Sequence, residues 1–243
     1  MGGRYAVERD GGLSWLEGNV FGDYHTGMLI EEVGMRLAPP VQPSKIMAIG
    51  LNYKDHAAEM NKKLPDEPLV FSKPPTSVIG PEDPIRIPSW AGRVDYEAEM
   101  AVVIGRRASR VKASDAMDFV LGLTCLCDVT ARDLQNKDVQ YTRAKGFDTF
   151  GPIGPCIAIG LDPSKLAIEG WVNGEKRQSS STNQLIFPVP ELVEFVTRFC
   201  TLEPGDIITT GTPSGVGPLK PGDRMMVKVE GVGALSNPCV AVE

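Results

Sequence analysis

The chain has 243 residues, of which 42% are hydrophobic and 23% are charged, as in an ordinary globular protein. The formal net charge is −6 and no dense basic tract is present, which argues against a nucleic-acid partner. A local cation could still attract a small anionic substrate. No apolar stretch reaches membrane-spanning length and no signal segment stands at the start, so we expect a cytoplasmic protein without a membrane partner.

Cysteine and histidine usage narrows the chemistry further. The five cysteines are odd in number and contain no CxxC pair, which argues against a disulfide framework. Cys125 and Cys127 lie in an apolar run, where we expect buried free thiols. Only two histidines are present, which excludes a multi-histidine zinc site unless thiols contribute.

The first 43 residues predict a small β subdomain. Two short runs, 4–7 and 13–16, flank a turn at Asp10-Gly11-Gly12 and have strand character. Prolines at positions 39, 40 and 43 mark the end of this unit. We therefore place a boundary there and assign residues 44–243 to one larger domain.

The larger domain predicts a mixed, β-rich α+β fold, in which a β roll or sandwich carries a few helices. The strands are expected at residues 45–50, 69–73, 94–105, 121–128, 151–159, 166–172, 207–210 and 225–229. The helices are expected at residues 52–60, 113–120, 130–141 and 190–200.

Acidic residues alternate at the start of the strand 94–105. Side chains alternate between the faces of a strand, so Asp95, Glu97 and Glu99 would share one face. Carboxylates entering a core need compensation, and a divalent cation supplies it, although a solvated strand edge is the simpler alternative. Asp128 ends the apolar strand 121–128 and offers a third carboxylate. Such an all-oxygen set suits Mg²⁺, Mn²⁺ or Ca²⁺ better than zinc or copper.

A second motif is His56-Ala-Ala-Glu59 in the predicted helix 52–60. Positions three apart face the same way, so Glu59 can orient the imidazole and raise its basicity. Such a pair could act as a general base for water. The alternative is an ordinary surface pair of little energetic value.

Two further groups of residues could contact an anion. Lys145 is a candidate partner for a substrate carboxylate or a developing oxyanion, with Arg132 and Gln135 nearby in sequence. For each of them a solvated surface position is the alternative. The glycine-rich run 211–217 lacks the Gly-Lys-Ser/Thr ending of a nucleotide loop, yet its backbone N–H groups could bind an anionic group.

Short blocks spread along residues 44–243 closely resemble, in the same order, the fumarylacetoacetate hydrolase superfamily. Residues 1–43 resemble the variable N-terminal part of bacterial members. The blocks are Gly50-Leu-Asn-Tyr-Lys-Asp-His56-Ala-Ala-Glu59, Phe71-Ser-Lys-Pro74, Asp95-Tyr-Glu97-Ala-Glu99, Asp128-Val-Thr-Ala-Arg-Asp-Leu-Gln135, Lys145-Gly-Phe-Asp-Thr149, Gly211-Thr-Pro213 and Glu230-Gly-Val-Gly-Ala-Leu-Ser-Asn237.

The resemblance implies a distinctive β roll of mixed sheets with a short lid helix, and a homodimer. It implies that Glu97, Glu99 and Asp128 bind Mg²⁺ or Mn²⁺, with Ca²⁺ as an alternative in a crystal. Asp95 would support these ligands. The implied catalytic residues are His56, Glu59 and Lys145. The implied substrate-binding residues are Arg132, Gln135, Lys145, Gly146 and Thr212.

The resemblance also implies a metal-dependent enzyme that acts on α-keto acids and 1,3-dicarbonyl compounds through a metal-bound enolate. We expect C–C hydrolysis of an acylpyruvate, such as fumarylpyruvate or acetylpyruvate, in aromatic catabolism. Decarboxylation of oxaloacetate, or isomerisation or decarboxylation of a 2-hydroxymuconate-type diacid, are alternatives at the same site. The segment after Thr182 departs from the acidic-and-Met pattern of many relatives, which leaves the substrate open.

Two functions of other classes compete with this expectation. A catalytically silent, metal-stabilised binding protein would have lost His56 or Glu59, and both are present. A nucleotide- or nucleic-acid-binding protein would use the run 211–217, which lacks the required Lys and Ser/Thr.

Overall fold

A computed structural model of the chain describes residues 4–30 and 35–243. Residues 1–3 and 31–34 of the expected N-terminal subdomain lie outside the described residues. The strands are β1 (Ala6–Arg9), β2 (Gly12–Gly18), β3 (Tyr24–Leu29), β4 (Ile46–Gly50), β5 (Leu69–Lys73), β6 (Val78–Ile79), β7 (Ile85–Pro88), β8 (Val94–Tyr96), β9 (Ala98–Ile104), β10 (Val120–Cys127), β11 (Thr130–Ala131), β12 (Gly151–Ala158), β13 (Ala167–Val172), β14 (Glu175–Ser181), β15 (Ile207–Thr209), β16 (Gly217–Leu219), β17 (Arg224–Val229) and β18 (Gly233–Val242).

The helices are short apart from the last. They are α1 (Lys54–Glu59), α2 (Arg132–Lys137), α3 (Thr142–Lys145) and α4 (Val189–Phe199). The longest helix, α4, has Pro190 and Glu191 in its first turn, and Leu192, Val193 and Val196 form its buried face. Proline and an acidic residue both favour a helix start, and the apolar spacing of three and four residues gives one face to the core.

A seven-stranded mixed sheet forms the centre of the molecule, in the order β5-β4-β15-β9-β10-β12-β6. Strand β15 pairs parallel with β4 and antiparallel with β9, so a strand from late in the chain lies between two earlier ones. A five-stranded sheet, β14-β13-β17-β18-β7, packs against it and yields a curled mixed-sheet roll. The fold class expected from the sequence is therefore confirmed.

Every residue of β9 is buried, and the two faces of the strand contact different hydrophobic clusters. Met100 and Val102 point into the main core between the two large sheets. Ala101 and Val103 point the other way, into a smaller cluster against which Phe21 packs. Burial on both faces explains why the strand is a continuous run of apolar residues. It also leaves Glu99, which is on this strand, without contact with bulk water.

The acidic stretch does not form the single strand 94–105 that its sequence predicts. Strand β8 ends at Tyr96 and belongs to a separate three-stranded sheet, β11-β8-β16. Strand β9 begins at Ala98, and Glu97 is the connecting residue. The cause is a change of pairing partners, since β8 pairs with β11 and β16 whereas β9 pairs with β10 and β15.

Several other boundaries differ from the sequence-based expectation. The N-terminal sheet has a third strand, β3, in addition to the two expected. The expected helix 130–141 is shorter, because the chain becomes extended at Asp138, whose carboxylate binds Arg143. Residues 113–119 form a 3₁₀ helix. The domain boundary at residues 43 and 44 stays a prediction.

All five cysteines are free thiols, and Cys125, Cys127 and Cys239 are buried. Burial raises the pKa of the Cys125 thiol to about 12, so this residue packs as an apolar side chain. Within the described residues, no helix is both long enough and apolar enough to cross a bilayer.

Candidate active site

Three carboxylates converge where β8, β9 and β10 meet. Glu97 connects β8 to β9, Glu99 is the second residue of β9, and Asp128 directly follows β10. The backbone N–H of Asp128 donates to the carbonyl oxygen of Glu97 at 2.9 Å, which extends the β9–β10 pairing past the last strand residues. All three side chains are buried, and one ligand atom from each lies within 4.8 Å of the other two.

Cationic side chains compensate two of the three carboxylates. The ammonium group of Lys145 donates to Glu97 at 2.8 Å, to Asp128 at 2.6 Å and to the Thr130 hydroxyl at 2.8 Å. Burial alone would lower the pKa of Lys145, but the charges of Asp128 and Glu97 outweigh it and raise that pKa above its ordinary value. The two carboxylates therefore favour the protonated form of Lys145.

A second lysine, Lys73 at the end of β5, is fully buried beside Asp128. Its ammonium group donates to Oδ1 of Asp128 at 2.6 Å and also to the backbone carbonyl of Lys145. Lys145 binds the other oxygen, Oδ2, so each oxygen of Asp128 has its own lysine. Burial lowers the pKa of Lys73, and the charge of Asp128 opposes that shift.

Glu99 differs from the other two carboxylates. Among the described residues, Glu99 accepts one hydrogen bond of ordinary geometry, from the backbone N–H of Gly211 at 3.0 Å. Burial, followed by the charges of Asp128 and Glu97, raises the pKa of Glu99 well above its ordinary range. By contrast, Lys145 and Arg132 hold the pKa of Glu97 below its ordinary value against the effect of burial.

The cluster fits a divalent cation bound by oxygen. Its potential ligand atoms are all carboxylate oxygens, the type of ligand that Mg²⁺ and Mn²⁺ prefer. The hydroxyls of Tyr53 and Thr209, both buried, have no hydrogen-bond partner among the described residues. Burying polar groups without partners is costly, so these two hydroxyls point to a ligand that completes the site. Glu97, Glu99 and Asp128 are the residues that would hold the ion.

The histidine–glutamate pair forms as the sequence predicts. His56 and Glu59 lie on α1, and Nδ1 of His56 donates to Oε2 of Glu59 at 3.0 Å. The backbone N–H of Gly215 also donates to Glu59, at 3.0 Å from Oε1. This arrangement leaves Nε2 of the imidazole free to accept a proton. Glu59 thus orients the imidazole, and Gly215 orients Glu59, an arrangement that suits a general base.

The short helix α1 is joined to the segment in which the sequence departs from the family pattern. Ser180 donates to the carboxylate of Asp55, and Tyr53 forms a β-bridge with Leu185. The Asn52 side chain accepts from the backbone N–H of Phe187 at 2.8 Å and donates to its carbonyl at 3.1 Å. Residues 180–187 therefore set where the helix and its histidine stand.

Arg132, at the start of α2, binds two acidic residues and one amide. Its guanidinium donates to Asp95 at 2.8 Å, to Glu97 at 2.6 Å and to the Gln135 side chain. Asp95 also accepts from Arg93 at 2.7 Å. Arg132 thus links Asp95 to Glu97, and the expected supporting role of Asp95 stays a prediction.

The remaining predicted substrate-binding residues have protein contacts of their own. The Thr212 hydroxyl donates to the carbonyl of Ala98 at 2.9 Å and accepts from Gln178 at 2.8 Å. Gly146 has no room for a side chain, because a Cβ there would lie 2.3 Å from the carbonyl oxygen of Thr142. Their contact with a substrate, like the roles of all the site residues, stays a proposal.

The glycine-rich run after β15 uses its backbone N–H groups internally. Gly211 donates to Glu99 and Gly215 donates to Glu59. The sequence predicts that this loop could bind an anionic group. At these two positions the loop N–H groups bind the protein's own carboxylates.

Two buried residues of the site were missed by the sequence-based prediction. Lys73 could have been noticed as a charged residue that ends an apolar strand directly before two prolines. Gln178 lies in the polar strand β14 and carries no such signal, yet it accepts from the N–H of Ala98 at 2.9 Å and donates to Thr212 and Pro213. It joins strand β9, which carries Glu99, to the loop that contains Thr212.

The fold and the acidic cluster define a mixed-sheet protein built around three buried carboxylates that could hold a metal ion. A model of the family described as fumarylacetoacetate (FAA) hydrolase C-terminal matches residues 45–240. The chain belongs to the fumarylacetoacetate hydrolase family, whose members are enzymes that commonly use divalent metals.

Three proteins that are similar to this chain differ in what is known of their activity. An uncharacterised protein of Archaeoglobus fulgidus is 52% identical over 89% of this chain and 87% of its own length. A mitochondrial oxaloacetate tautomerase of Xenopus laevis is 45% identical over 84% of this chain and 68% of its own length. The crystal structure of a 5-carboxymethyl-2-hydroxymuconate delta-isomerase from Mycobacterium smegmatis superposes with a TM-score of 0.91 at 43% identity, covering 98% of this chain and 94% of that one.

Proposed function

We propose that the protein is a divalent-metal-dependent enzyme that transfers a proton between the keto and enol forms of a small anionic α-keto acid of the oxaloacetate type. The observation that carries the proposal is the buried set of Glu97, Glu99 and Asp128, with the Lys145 ammonium group in contact with two of the three carboxylates. Enolates of α-keto acids need stabilised negative charge on oxygen, and such a site supplies it. The activities for which the tautomerase and isomerase relatives are named support the same reaction class.

The bound cation would supply Lewis-acid polarisation of the substrate oxygens. The Lys145 ammonium group lies among the same carboxylates and adds positive charge for the developing enolate oxygen. Arg132 lies next to Glu97 and can bind the substrate carboxylate with its remaining N–H groups. Gln135, Gly146 and Thr212 border these groups and are the proposed contacts for the rest of the substrate.

His56 is the group we assign to proton transfer. Its Nδ1 is engaged by Glu59, which orients the ring and leaves Nε2 as the atom that takes up or delivers the proton. The imidazole side chain is 14% exposed, which limits the access of bulk water to this atom. Glu59 is itself fixed by Gly215 and would act through the imidazole.

The second candidate is the C–C hydrolysis expected from the sequence. The same His56–Glu59 pair favours it, because an oriented imidazole can activate a water molecule for attack on the distal carbonyl of an acylpyruvate. Decarboxylation of oxaloacetate would leave the same enolate without needing that water. We propose Mg²⁺ or Mn²⁺ as the ion for all three reactions.

A substrate panel tests these proposals. The purified protein is stripped with a chelator, reloaded with Mg²⁺ or Mn²⁺, and offered oxaloacetate, acetylpyruvate, fumarylpyruvate and a hydroxymuconate-type diacid. Loss of enol absorbance, release of pyruvate and release of CO₂ are followed separately. Metal-dependent loss of enol without pyruvate release supports the tautomerase. Binding of Mn²⁺ without turnover of any substrate would instead favour the catalytically silent binding protein.

The homodimer also stays a proposal. Light scattering of the full chain at several concentrations gives its mass in solution, and a mass of one chain at all of them would overturn the dimer.

A further inference from the structure

The three carboxylates differ in how they are compensated. Glu97 and Asp128 each receive cationic donors on both oxygens, from Lys73, Lys145 and Arg132. Glu99 has no cationic donor among the hydrogen bonds of the described residues, and its clear donor is the N–H of Gly211. A carboxylate that ligates a metal ordinarily has outer hydrogen-bond partners that fix its orientation.

Two hydroxyls near Glu99 are available for this task. Thr209 pairs with Ala101 across β15 and β9, and Ala101 is two residues beyond Glu99 on the same strand. Side chains two apart share a face, so Thr209 and Glu99 lie on the same side of the sheet. The next residues of the same segment bring the N–H of Gly211 to 3.0 Å from Oε2 of Glu99.

The second hydroxyl is that of Tyr53, which directly precedes helix α1. Tyr53 is completely buried. Asn52, the residue before it, donates to the carbonyl oxygen of Thr210 at 2.9 Å, and the residue after Thr210, Gly211, donates to Glu99. Burial raises the pKa of the Tyr53 phenol, and the negative charges of Glu99 and then Asp55 raise it further. The phenol therefore keeps its proton and can act as a hydrogen-bond donor.

Neither hydroxyl makes a hydrogen bond of ordinary geometry within the described residues, and in that part of the chain they are the two buried side-chain polar atoms in this condition. The Thr209 hydroxyl nevertheless acts on Glu99, whose pKa it lowers against the effect of burial, and Thr210 acts in the same way on the pKa of the Tyr53 phenol. One arrangement would give both hydroxyls a partner and would also give the Glu99 carboxylate further hydrogen-bond donors. We propose that the Tyr53 and Thr209 hydroxyls are positioning groups that donate to the Glu99 carboxylate once Glu99 ligates the divalent cation. This inference rests on the metal site of the proposed function and assigns two residues to its outer shell.

The test uses isosteric variants, with Mn²⁺ alone as the probe. Tyr53→Phe and Thr209→Val each remove one hydroxyl and keep the shape of the side chain. We expect each to weaken Mn²⁺ binding about tenfold in a calorimetric titration, as for loss of an outer hydrogen-bond partner. Without metal, we expect neither variant to lower the melting temperature, because the hydroxyl that is removed has no protein partner.

The chain offers a matched control in Thr124. Thr124 and Thr209 pair with the same residue, Ala101, from opposite sides, and both are buried. The Thr124 hydroxyl has a partner, because it donates to the carbonyl of Gly154 at 3.2 Å. We expect Thr124→Val to show the reverse behaviour, with a lower melting temperature and an unchanged affinity for Mn²⁺.

Thr209→Ser keeps the hydroxyl and should retain wild-type affinity, which separates the hydroxyl from the packing of the methyl group. Thr209→Val and Thr209→Ser also decide the question if Tyr53→Phe does not fold. Wild-type affinity in both Tyr53→Phe and Thr209→Val would overturn this inference and leave the proposed function intact. Absence of Mn²⁺ binding in the wild-type protein would overturn both.

Discussion

Lys73 and Asp128, which are 55 residues apart in the chain, form a fully buried ion pair with Nζ 2.6 Å from Oδ1. Lys73 also donates to the backbone carbonyl of Lys145, the last residue of α3. It therefore connects Asp128, a proposed metal ligand, to the end of that helix. Together with Lys145, it compensates both oxygens of the Asp128 carboxylate.

Lys73→Met is expected to destabilise the metal-free protein by about 3–5 kcal/mol, because it leaves the buried Asp128 carboxylate with one lysine instead of two. Divalent cation should restore part of this loss, since the ion replaces the missing charge. Urea unfolding with and without Mn²⁺ measures both quantities.

Lys45→Met is the control, since Lys45 pairs with the buried Asp206 through contacts that do not involve the three-carboxylate cluster. Mn²⁺ should stabilise this variant no more than the wild type. If Mn²⁺ stabilises Lys73→Met only as much as Lys45→Met, Lys73 has a structural role alone.

Glu97→Ala is expected to abolish both metal binding and turnover. It removes one ligand and leaves Lys145 and Arg132 without their shared carboxylate, so the remaining site is more positive. We expect Mn²⁺ affinity to fall by more than about 100-fold, beyond the loss caused by an outer-shell residue. Glu169→Ala, at a partly exposed pair with Lys176, should leave affinity unchanged. The prediction fails if Glu97→Ala keeps full activity after chelator treatment.

His56→Ala is expected to separate the reactions that the site could perform. Hydrolysis and tautomerisation need a group that moves a proton, so both should fall by about 10²–10⁴-fold. Decarboxylation of oxaloacetate needs no activated water and should fall much less. Pyruvate and CO₂ release, measured side by side with the same Mg²⁺-loaded enzyme, give the comparison. Equal losses in hydrolysis and decarboxylation would contradict a role of His56 in activating water, and an undiminished rate of tautomerisation would contradict its role in proton transfer.

Metal binding should strengthen as pH rises. The raised pKa of Glu99 means that a proton occupies its carboxylate at pH values where an ordinary Glu, with a pKa near about 4.3, is already charged. The cation must displace that proton, so affinity increases with pH up to the raised pKa and then levels off. Titration calorimetry in two buffers of different ionisation enthalpy counts the released proton. No proton release at any pH would contradict this reading of Glu99.

Gly215→Ala is expected to impair catalysis while sparing the metal. Gly215 has a φ of 95°, and a Cβ there would lie 2.2 Å from the carbonyl oxygen of Arg177, so the backbone must move. That movement takes the Gly215 N–H away from Glu59 and loosens the His56 ring. We expect a drop in kcat of about tenfold or more with Mn²⁺ affinity unchanged. Gly174→Ala, in the exposed β13–β14 turn with open space around it, is the control for the positive φ alone.

The sequence predicts features that depend on short-range patterns. Strands β4, β5 and β10, the helix α4 and the His56–Glu59 pair all follow from local spacing, and each is present. The union of Glu97, Glu99 and Asp128 was inferred with the help of the family resemblance, and the three side chains do converge.

Features that depend on distant partners were not predicted. The break at Glu97 arises because β8 and β9 find different strands to pair with, and those strands come from elsewhere in the chain. Gln178 meets Ala98 across 80 residues, and nothing in the polar strand β14 signals this contact. Burial of Lys73 likewise depends on Asp128, which its own segment cannot reveal.

The position of β15 in the central sheet affects how the chain can fold while it is being synthesised. Strands β4 and β9 are neighbours of β15 on either side, yet more than 100 residues separate the end of β9 from the start of β15. While the ribosome adds those residues, the unpaired edges of β4 and β9 are exposed on the nascent chain. Thr209 and Gly211, which flank Glu99, also emerge only at that point. A nascent chain that ends before residue 207 therefore depends on protection from aggregation, and it cannot yet complete a site for the ion.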